Sequence, residues 1–265
     1  MIDYAHQTVL VTGAASGIGA ALSAALADRG AYVICADVDE EGLDQTLKAL
    51  CGQGEKIVCD LAETDAASSL IADAFECRGP LALVCSNAGI GHRAKVTDPD
   101  LDFAAIYRLF EINFHAGLKI ANAYANKLRE SAAEGRLLVT TSETSLSLPS
   151  AIRSNRVPYY SASKHALIGA LEWLAIEQTT GPLSIHALIP GAVYTPLISG
   201  RLKDPANAWP ELELIMPERC AEIALKGLDL DLFYIPTQAH ILDDMQPRID
   251  GVRMALQSLG IKPTV

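Results

Sequence analysis

The chain has no apolar run long enough to cross a bilayer, and it has few basic residues. Although 50% of its 265 residues are hydrophobic, breaks such as His186 and Pro190 keep every apolar run shorter than the roughly 18 residues that a spanning helix needs. Lys and Arg number 21 against 32 Asp and Glu, which gives a net charge of −11 with no basic cluster. The first residues, "MIDYAHQ", lack the pattern of a signal peptide. We therefore expect no membrane insertion, no nucleic-acid partner and a cytoplasmic location.

Metal-binding spacings are also missing. The six cysteines, at positions 35, 51, 59, 77, 85 and 220, form no Cys-x-x-Cys pair, and several stand in apolar runs. A free thiol in such a run packs like a small hydrophobic group. His6, His115, His186 and His240 show no ligand spacing either. The sequence thus predicts reduced, structural cysteines and no metal site.

What the sequence does have is an alternation of short apolar runs with alanine- and leucine-rich helical segments. Continuous apolar runs are typical of strands covered on both faces, and their alternation with helices indicates right-handed crossovers. Strands are predicted at about 8–11, 31–36, 56–59, 81–85, 136–140, 183–189 and 232–235, and long helices at about 101–130 and 160–178. No shift in composition marks a second domain. We predict a single α/β domain with a doubly wound parallel sheet and helices on both faces.

A glycine-rich loop follows the first predicted strand. The segment "TGAASGIG", Thr12 to Gly19, leads into an alanine-rich helix. Glycine lets the backbone approach a pyrophosphate closely, and the free amides of a helix N-terminus stabilise its negative charge. The spacing is Gly-x-x-x-Gly-x-Gly, so it matches the commoner Gly-x-Gly-x-x-Gly loop by mechanism only. We predict a dinucleotide cradle here, with a plain strand-to-helix turn as the alternative.

An acidic residue at the end of the second predicted strand bears on the choice of dinucleotide. Asp37, in "CADVDE", stands at about the distance from the loop expected for the acid that hydrogen-bonds an adenosine ribose. A carboxylate there repels a 2′-phosphate, and no Lys or Arg in the loop or just after Asp37 offsets it. The sequence therefore predicts NAD rather than NADP. We expect the neighbouring Asp39 to be a turn residue.

The stretch "PYYSASKHA", 158–166, places two adjacent tyrosines before a lysine at the predicted start of a helix. Side chains four apart share a helix face, so Tyr160 lies beside Lys164, whereas Tyr159 points elsewhere. A phenol, with an ordinary pKa of about 10, needs a nearby cation to act as a base near neutral pH. The spacing selects Tyr160 as the candidate acid/base.

Four motifs occur in a fixed order, namely "TGAASGIG", "SNAG" (86–89), "YSASK" (160–164) and "PGAVYT" (190–195). With them, the chain resembles the short-chain dehydrogenase/reductase family over about residues 6–196. The resemblance implies a seven-stranded parallel sheet of the Rossmann type, nicotinamide-dependent interconversion of alcohols and carbonyls, and a homodimer or homotetramer. The chain length favours the dehydrogenase branch over the longer sugar-nucleotide epimerases.

The resemblance also implies roles for individual residues. Tyr160 would be the acid/base, Lys164 would hold the nicotinamide ribose, and Asn113 would support a water chain to that lysine. Lys164 and an oxidised nicotinamide would together lower the pKa of Tyr160 by about one to three units. The expected cofactor-binding residues are Gly13, Ser16, Gly17, Ile18, Gly19, Asp37, Asp60, Leu61, Asn87, Ala88, Gly89, Tyr160, Lys164, Pro190, Gly191, Val193 and Thr195. Asp60 and Leu61 would flank the adenine.

Two departures from the family pattern affect the site. Ser86 stands where the family usually has the first Asn of Asn-Asn-Ala-Gly. Ser142 falls at the position of the catalytic serine, but it precedes Tyr160 by more residues than usual, which indicates an insertion around "SAIRSNRV" that could cover the pocket. Ser145 and Ser147 are the fallback candidates. Thus Asn113, Ser142, Tyr160 and Lys164 form the predicted catalytic set.

The sequence therefore predicts an NAD-dependent enzyme that oxidises a secondary alcohol or reduces the matching ketone. The apolar content of the substrate loop at about 190–217, which precedes a C-terminal strand and helix at about 232–260, favours an aryl, alicyclic or steroid-like small-molecule substrate. One alternative is a regulator that senses NAD without turnover, although a pure binding protein needs no acid/base pair. The other is an NADPH-dependent carbonyl reductase, which Asp37 opposes.

Overall fold

All seven predicted strands form in the computed structural model, which describes residues 1–199 and 202–262. They are β1 (Thr8–Thr12), β2 (Tyr32–Asp37), β3 (Gly54–Val58), β4 (Leu81–Ser86), β5 (Gly135–Thr140), β6 (Leu183–Ile189) and β7 (Tyr234–Pro236). Every neighbouring pair is parallel, and the strands lie in the order β3-β2-β1-β4-β5-β6-β7. The predicted doubly wound, seven-stranded sheet is confirmed. Because β1 and β4 are neighbours, the winding direction reverses between them, and ligands bind at the carboxyl ends of the strands beside such a reversal.

Helices cover both faces of the sheet. They are α1 (Gly17–Asp28), α2 (Glu40–Ala49), α3 (Ala66–Arg78), α4 (Phe103–Phe110), α5 (Ala116–Ser131), α6 (Pro158–Glu177), α7 (Pro196–Ser199), α8 (Pro217–Asp229) and α9 (His240–Ser258). On one face α1, α2 and α8 enclose a core that includes Leu22, Leu43 and Leu225. On the other face α3, α5 and α6 enclose a second core that includes Ile71, Tyr124 and Leu167. Each large apolar side chain so buried stabilises the fold by about 1.5–3 kcal/mol.

The helix predicted over about 101–130 differs from the observed one. In the structure a π-helical turn, Glu111–His115, lies between α4 and α5, and the three segments form one continuous helical stretch. Such a turn inserts one extra residue into the helix and commonly marks a functional position. Asn113 lies in the middle of this turn, so its side chain leaves the regular helical surface. The pattern of apolar residues did not predict this irregularity.

The segment after β6, which includes the predicted loop at 190–217, leaves the sheet, and contacts between its first and last residues close it. It contains α7 and the short 3₁₀ turns Pro205–Asn207 and Pro210–Leu212. An isolated parallel bridge pairs Val193 with Ile215, and Tyr194 N donates to Ile215 O at 2.9 Å. The predicted C-terminal strand and helix are present as β7 and α9. In the described part of the chain, no helix is long and apolar enough to cross a membrane.

Candidate active site

A cavity of about 520 Å³ opens at the carboxyl ends of β1, β2, β4 and β5, where the sheet reverses. It runs without a break from the glycine loop to Tyr160, and its wall includes sixteen of the predicted cofactor-binding residues, namely Gly13, Ser16, Gly17, Ile18, Asp37, Asp60, Leu61, Asn87, Ala88, Gly89, Tyr160, Lys164, Pro190, Gly191, Val193 and Thr195. Ser142 lines it as well. Gly19 and Asn113 lie behind this wall. The structure therefore brings the separated motifs to one site.

The glycine loop has the backbone that its sequence requires. Gly13 has φ +66° and Gly17 has φ +55°, the left-handed region that favours glycine. A Cβ on Gly19 would overlap the carbonyl oxygen of Gly13 and lie 2.8 Å from Asn87 Nδ2. Ser16, the N-cap of α1, makes no side-chain cap hydrogen bond, so the first amides of α1 are left for a ligand. The cradle fits the pyrophosphate of a dinucleotide.

Asp37 lies at the wall of the cavity with its carboxylate held by backbone amides. Its Oδ2 accepts from Ala15 N at 3.0 Å, and its Oδ1 accepts from Asp39 N at 3.1 Å. The carboxylate is therefore fixed between β2 and the glycine loop. Asp39 instead caps α2 by accepting from Gly42 N at 3.1 Å. Asp39 is therefore a helix N-cap and not the predicted turn residue.

The far end of the cavity contains the predicted adenine-flanking pair. Asp60 and Leu61 both line it, and Asp60 Oδ2 accepts from Arg108 Nη2 at 2.8 Å. This hydrogen bond holds the pKa of Asp60 below its ordinary value. Arg108 also lines the cavity, although the sequence gave no reason to place it there. Its guanidinium forms an ion pair with Asp60.

Two threonines that sequence reasoning missed organise the middle of the site. Thr12 Oγ1 accepts from Asn87 N at 3.0 Å and from Ala88 N at 3.1 Å, which ties β1 to the loop after β4. Thr140 Oγ1 donates to Asn87 Oδ1 at 2.9 Å. Asn87 is therefore held on its backbone and its side chain beside Ser86, the residue that departs from the family. Both threonines end strands that converge on the cavity, and that position was the available signal.

Asn113 holds the loop after β4, here called the cofactor loop, through the backbone of Ile90. Its Oδ1 accepts from Ile90 N at 2.8 Å, and its Nδ2 donates to Ile90 O at 2.9 Å. The side chain is buried and also reaches Ser163 Oγ at 3.4 Å. The π-helical turn directs this amide to the loop after β4. Asn113 thus makes no direct hydrogen bond to Lys164 in the structure.

Tyr160 and Lys164 lie on the first turns of α6, with Pro158 as its first residue. Lys164 Nζ is buried and donates to Thr140 O at 2.8 Å. Tyr160 and Ser142 both line the cavity, and the Ser142 side chain lies close enough to the Tyr160 phenol to lower its pKa. Tyr159 does not line the cavity, and its ring packs edge-on against His92. The helical spacing therefore separated the two tyrosines correctly.

Of the three candidate serines, only Ser142 lines the cavity. Its Oγ accepts from Thr144 N at 3.2 Å and from Thr144 Oγ1 at 3.1 Å, while Ser145 Oγ accepts from Ser142 N at 3.1 Å. Ser147 Oγ donates to Glu143 O at 3.4 Å. The bonds to Thr144 and Ser145 fix the position of Ser142 at the cavity wall. The inserted loop that follows packs on the residues after the cofactor loop, since Ala94 N donates to Arg156 O at 3.0 Å.

Burial governs the electrostatics of the pair in the protein alone. Burial raises the pKa of Tyr160, the Ser142 side chain lowers it, and the charge of Glu143 raises it further. Burial also lowers the pKa of Lys164 to about 8. The rise in the pKa of Tyr160 is that of the protein alone, and Lys164 is not among its causes. The predicted lowering also needs the charge of an oxidised nicotinamide, so it stays a prediction for the complex with the cofactor.

The comparisons with known proteins agree with this geometry. Residues 7–206 match the model of the short chain dehydrogenase family. The chain belongs to that family, and it is an oxidoreductase. Among curated relatives, it is 33% identical to a 1-deoxy-11-beta-hydroxypentalenate dehydrogenase of Streptomyces avermitilis, over 92% of this chain and 87% of the relative. It is 31% identical to a cis-4-hydroxycyclohexanecarboxylate dehydrogenase of Sinomonas cyclohexanicum, over 88% of this chain and 93% of the relative.

Solved structures share the fold of this short-chain dehydrogenase. One from Burkholderia phymatum in complex with NAD has a TM-score of 0.81 and 22% identity, covering 100% of this chain and 99% of that chain. Another from Sphingobium yanoikuyae in complex with NADPH has a TM-score of 0.76 and 22% identity, covering 95% of each. Proteins of this fold thus bind either nicotinamide cofactor, and the preference depends on local residues.

Proposed function

We propose that this dehydrogenase transfers a hydride between NAD(H) and a ring-containing secondary alcohol or the matching ketone. The observation that carries the proposal is that Ser142, Tyr160 and Lys164 line one cavity, which runs on to the glycine cradle. An acid/base pair placed at the end of a dinucleotide site serves turnover better than binding alone. The non-catalytic regulator is therefore the weaker alternative.

Each residue of the set has a defined task in this reaction. Ser142 donates a hydrogen bond to the substrate oxygen, and Tyr160 takes the hydroxyl proton during oxidation or returns it during reduction. Lys164, anchored on Thr140 O, keeps further N–H groups for a ribose hydroxyl and stabilises the phenolate. Asn113 acts as a positioning residue through Ile90. The bound nicotinamide supplies the hydride acceptor or donor.

A ring-containing substrate is supported by the relatives and by the cavity wall. The two relatives above are named for a hydroxypentalenate and a hydroxycyclohexanecarboxylate, both alicyclic alcohols. The wall beyond Tyr160 is largely apolar and includes Ile90, Ile112, Leu197 and Ile198. Apolar walls with a few convergent polar groups suit ring-containing alcohols. The segment at 190–217, which brings Leu197 and Ile198 to the cavity, is proposed to cover the substrate.

The decisive experiment is NAD reduction, followed by absorbance, over a panel of alicyclic, steroid and aryl secondary alcohols. We expect turnover of the alicyclic group by wild type and a loss of at least a thousandfold in kcat/KM for Tyr160→Phe, since the acid/base is removed. Tyr159→Phe is the matched control, and it should stay within a few-fold of wild type. Tight NAD binding without turnover of any alcohol or ketone by wild type would instead favour the regulator.

We propose NAD as the preferred cofactor because of Asp37. Its carboxylate lines the cavity between β2 and the glycine loop, where it accepts ribose hydroxyls and repels a 2′-phosphate. In Asp37→Ala we expect the ratio of NADH to NADPH affinity to fall by about ten- to a hundredfold, as one or two hydrogen bonds to a charged acceptor are worth. Fluorescence titration measures the dissociation constants for NADH and for NADPH.

Asp39→Ala is the matched control for that substitution. Asp39 is two residues away, lies outside the cavity wall and caps α2. Its loss should lower the free energy of unfolding by about 1 kcal/mol and leave the affinity ratio unchanged. An unchanged ratio in Asp37→Ala would contradict the role of Asp37 and return the NADPH-dependent reductase to consideration.

We further propose that the chain forms a homodimer or homotetramer in the cytoplasm. The C-terminal half of α9 is exposed all round, including the apolar residues Ile249, Val252, Leu256 and Leu259. Their spacing forms one stripe along the helix, the pattern of a helix that packs on a partner. All six cysteines are free, which supports a reducing compartment.

A further inference from the structure

A buried acid next to Ser142 takes no part in the proposed mechanism. The Glu143 side chain is 8% exposed and does not line the cavity. Its carboxylate lies behind Gly191, a wall residue, because a Cβ on Gly191 would come 2.9 Å from Glu143 Oε2. Glu143 N also donates to Pro190 O at 2.7 Å. Glu143 therefore lies between the loop after β5 that contains Ser142, here called the catalytic loop, and the turn after β6, and its backbone joins the two.

His240, the first residue of α9, holds this acid and a second one. Its Nε2 lies 2.8 Å from Glu143 Oε2, and its Nδ1 lies 3.0 Å from Glu213 Oε2. The first contact is an aligned hydrogen bond, whereas the second is an ion-pair contact without that alignment. Asp244 Oδ2 lies farther away, at 4.0 Å. A ring with a carboxylate at each nitrogen is best satisfied as the imidazolium, in which both nitrogens donate.

The pKa shifts agree with a charged ring. Burial lowers the pKa of His240, but its contacts with Glu143 and Glu213 outweigh burial and the net direction is upward. Burial raises the pKa of Glu143, and the His240 hydrogen bond opposes that rise. The negative charge of Glu143 in turn raises the pKa of Tyr160. The charge on His240 therefore acts on the pKa of Tyr160 through Glu143, whose negative charge it offsets.

Glu213, the second acid at His240, lies near the end of the segment at 190–217, the covering segment. It stands two residues before Ile215, which is bridged to Val193. Glu213 has φ +45°, a left-handed conformation that is unfavourable for a non-glycine residue. The neighbouring Gln238 reinforces the closure, because its Oε1 accepts from Gly191 N at 2.8 Å and its Nε2 donates to Glu213 O at 3.3 Å. Contacts from the start of α9 thus hold this backbone in place.

We propose that His240 is a positioning residue for the dehydrogenase reaction, linking Glu143 beside Ser142 to Glu213 at the end of the covering segment. The inference rests on the proposed function. His240 keeps the catalytic loop and the covering segment at a fixed separation, and its charge offsets that of Glu143 near Tyr160. The charged groups that face the ring are Glu143 from the catalytic loop, Glu213 from the covering segment and Asp244 from α9 itself.

The test is the pH dependence of kcat/KM for alcohol oxidation in His240→Gln, Glu143→Gln and the double variant. In His240→Gln the charge of Glu143 is no longer offset, so we expect the acidic limb of the profile to move up by about half a unit to one unit. We also expect a several-fold rise in the KM for the alcohol. Glu143→Gln should move the same limb down, and the double variant should return close to the wild-type midpoint.

A role confined to holding the fold together predicts a different result. It would lower kcat/KM by a similar factor at every pH, with no recovery in the double variant, and that result would overturn the proposal. The control is His165→Gln, because His165 contacts Arg248 of α9 at 2.8 Å without facing any of the three acids. It should leave the midpoint in place. If His240→Gln fails to fold, the direction in which Glu143→Gln moves the acidic limb of the pH profile is the deciding result.

Two activity-independent measurements separate this inference from the proposed function. NADH affinity, measured by fluorescence, should stay within twofold in all variants. The His240 imidazole, titrated by NMR, should have a pKa above the ordinary 6.5 in wild type, and the value should fall in Glu143→Gln. If no alcohol is oxidised by wild type while this titration behaves as expected, the proposed function fails and the contact itself stands. A His240 titration unaffected by Glu143→Gln contradicts the contact.

Discussion

Lys164 illustrates how burial changes the properties of a single side chain. Its side chain is buried, and its ammonium group donates to Thr140 O at 2.8 Å. Burial lowers the pKa from 10.5 to about 8, so the charged form is disfavoured in the folded protein. The residue is retained in spite of this cost because the proposed reaction needs a cation and donor next to Tyr160. Active-site groups commonly reduce stability in this way.

We expect Lys164→Met to be inactive yet more stable than wild type at pH 7. The shift from 10.5 to about 8 corresponds to roughly 3 kcal/mol, of which the unpaired Thr140 carbonyl offsets about 1 kcal/mol. Between pH 8 and 10.5 the unfolded chain binds more protons than the native one, so wild-type stability rises with pH there. The advantage of the variant is thus full below pH 8 and is lost towards pH 10.5.

Urea unfolding across this pH range measures the difference in free energy. Lys127→Met on the surface of α5 is the control, since Lys127 is partly exposed and paired only with Glu130. It should show neither the gain nor the pH dependence. A Lys164→Met protein that is less stable than wild type at pH 7 would contradict the account of its burial.

At the scale of elements, the turn from β1 into α1 depends on how closely its backbone segments approach. Gly19 lies against Gly13 O and the side chain of Asn87, and Asn87 is in turn bound to Thr12 and Thr140. Any side chain at Gly19 would displace this packed group. The strand-to-helix turn, the loop after β4 and the end of β5 therefore form one unit around the cofactor cavity.

Gly19→Ala should separate this packing requirement from ordinary helix propensity. The added Cβ overlaps backbone that cannot move without shifting the whole cradle, so we expect a loss of at least a hundredfold in NADH affinity and of about 2 kcal/mol or more in stability. Gly169→Ala in α6 is the control, because nothing lies within 4 Å of its added Cβ. It should gain about 0.5–1 kcal/mol. Wild-type affinity in Gly19→Ala would contradict the close approach.

At the scale of the whole molecule, α9 has two distinct halves. Its first turns contribute His240 and the buried Ile241 to the body of the protein, whereas residues 251–262 are exposed on every side. An isolated helical end with an apolar stripe is marginally stable in water unless it packs against something. A second copy of the chain is the partner that we propose, and the same helix would then connect the interface with the covering segment.

Light scattering coupled to size-exclusion chromatography tests this assembly. Wild type should elute as a dimer or tetramer, and Val252→Asp with Leu256→Asp should dissociate it, because the two charges would be buried without partners. Gln257→Asp adds a charge off the stripe and should leave the assembly intact. A monomeric wild type at micromolar concentration, or a double variant that stays assembled, would show that this stripe is not the interface.

The sequence by itself determined the features that depend on local periodicity and spacing. Apolar runs located the strands, the glycines marked the cradle, and helical geometry distinguished Tyr160 from Tyr159. Such patterns are readable because each reflects the conformation of a few consecutive residues. The expectation for Asp37 followed from its place at a strand end, whereas Ser142 was assigned by the resemblance to the family.

Only the tertiary structure decided the features that depend on packing between distant segments. Glu143 and His240 meet across 97 positions of sequence, and neither belongs to a motif that indicates the other. The upward direction of the Tyr160 pKa in the protein alone follows mainly from burial. The π-helical turn, in which Asn113 bonds to Ile90 on another loop, likewise has no counterpart in the apolar pattern. Desolvation and long-range contacts arise when elements assemble, so no local pattern encodes them.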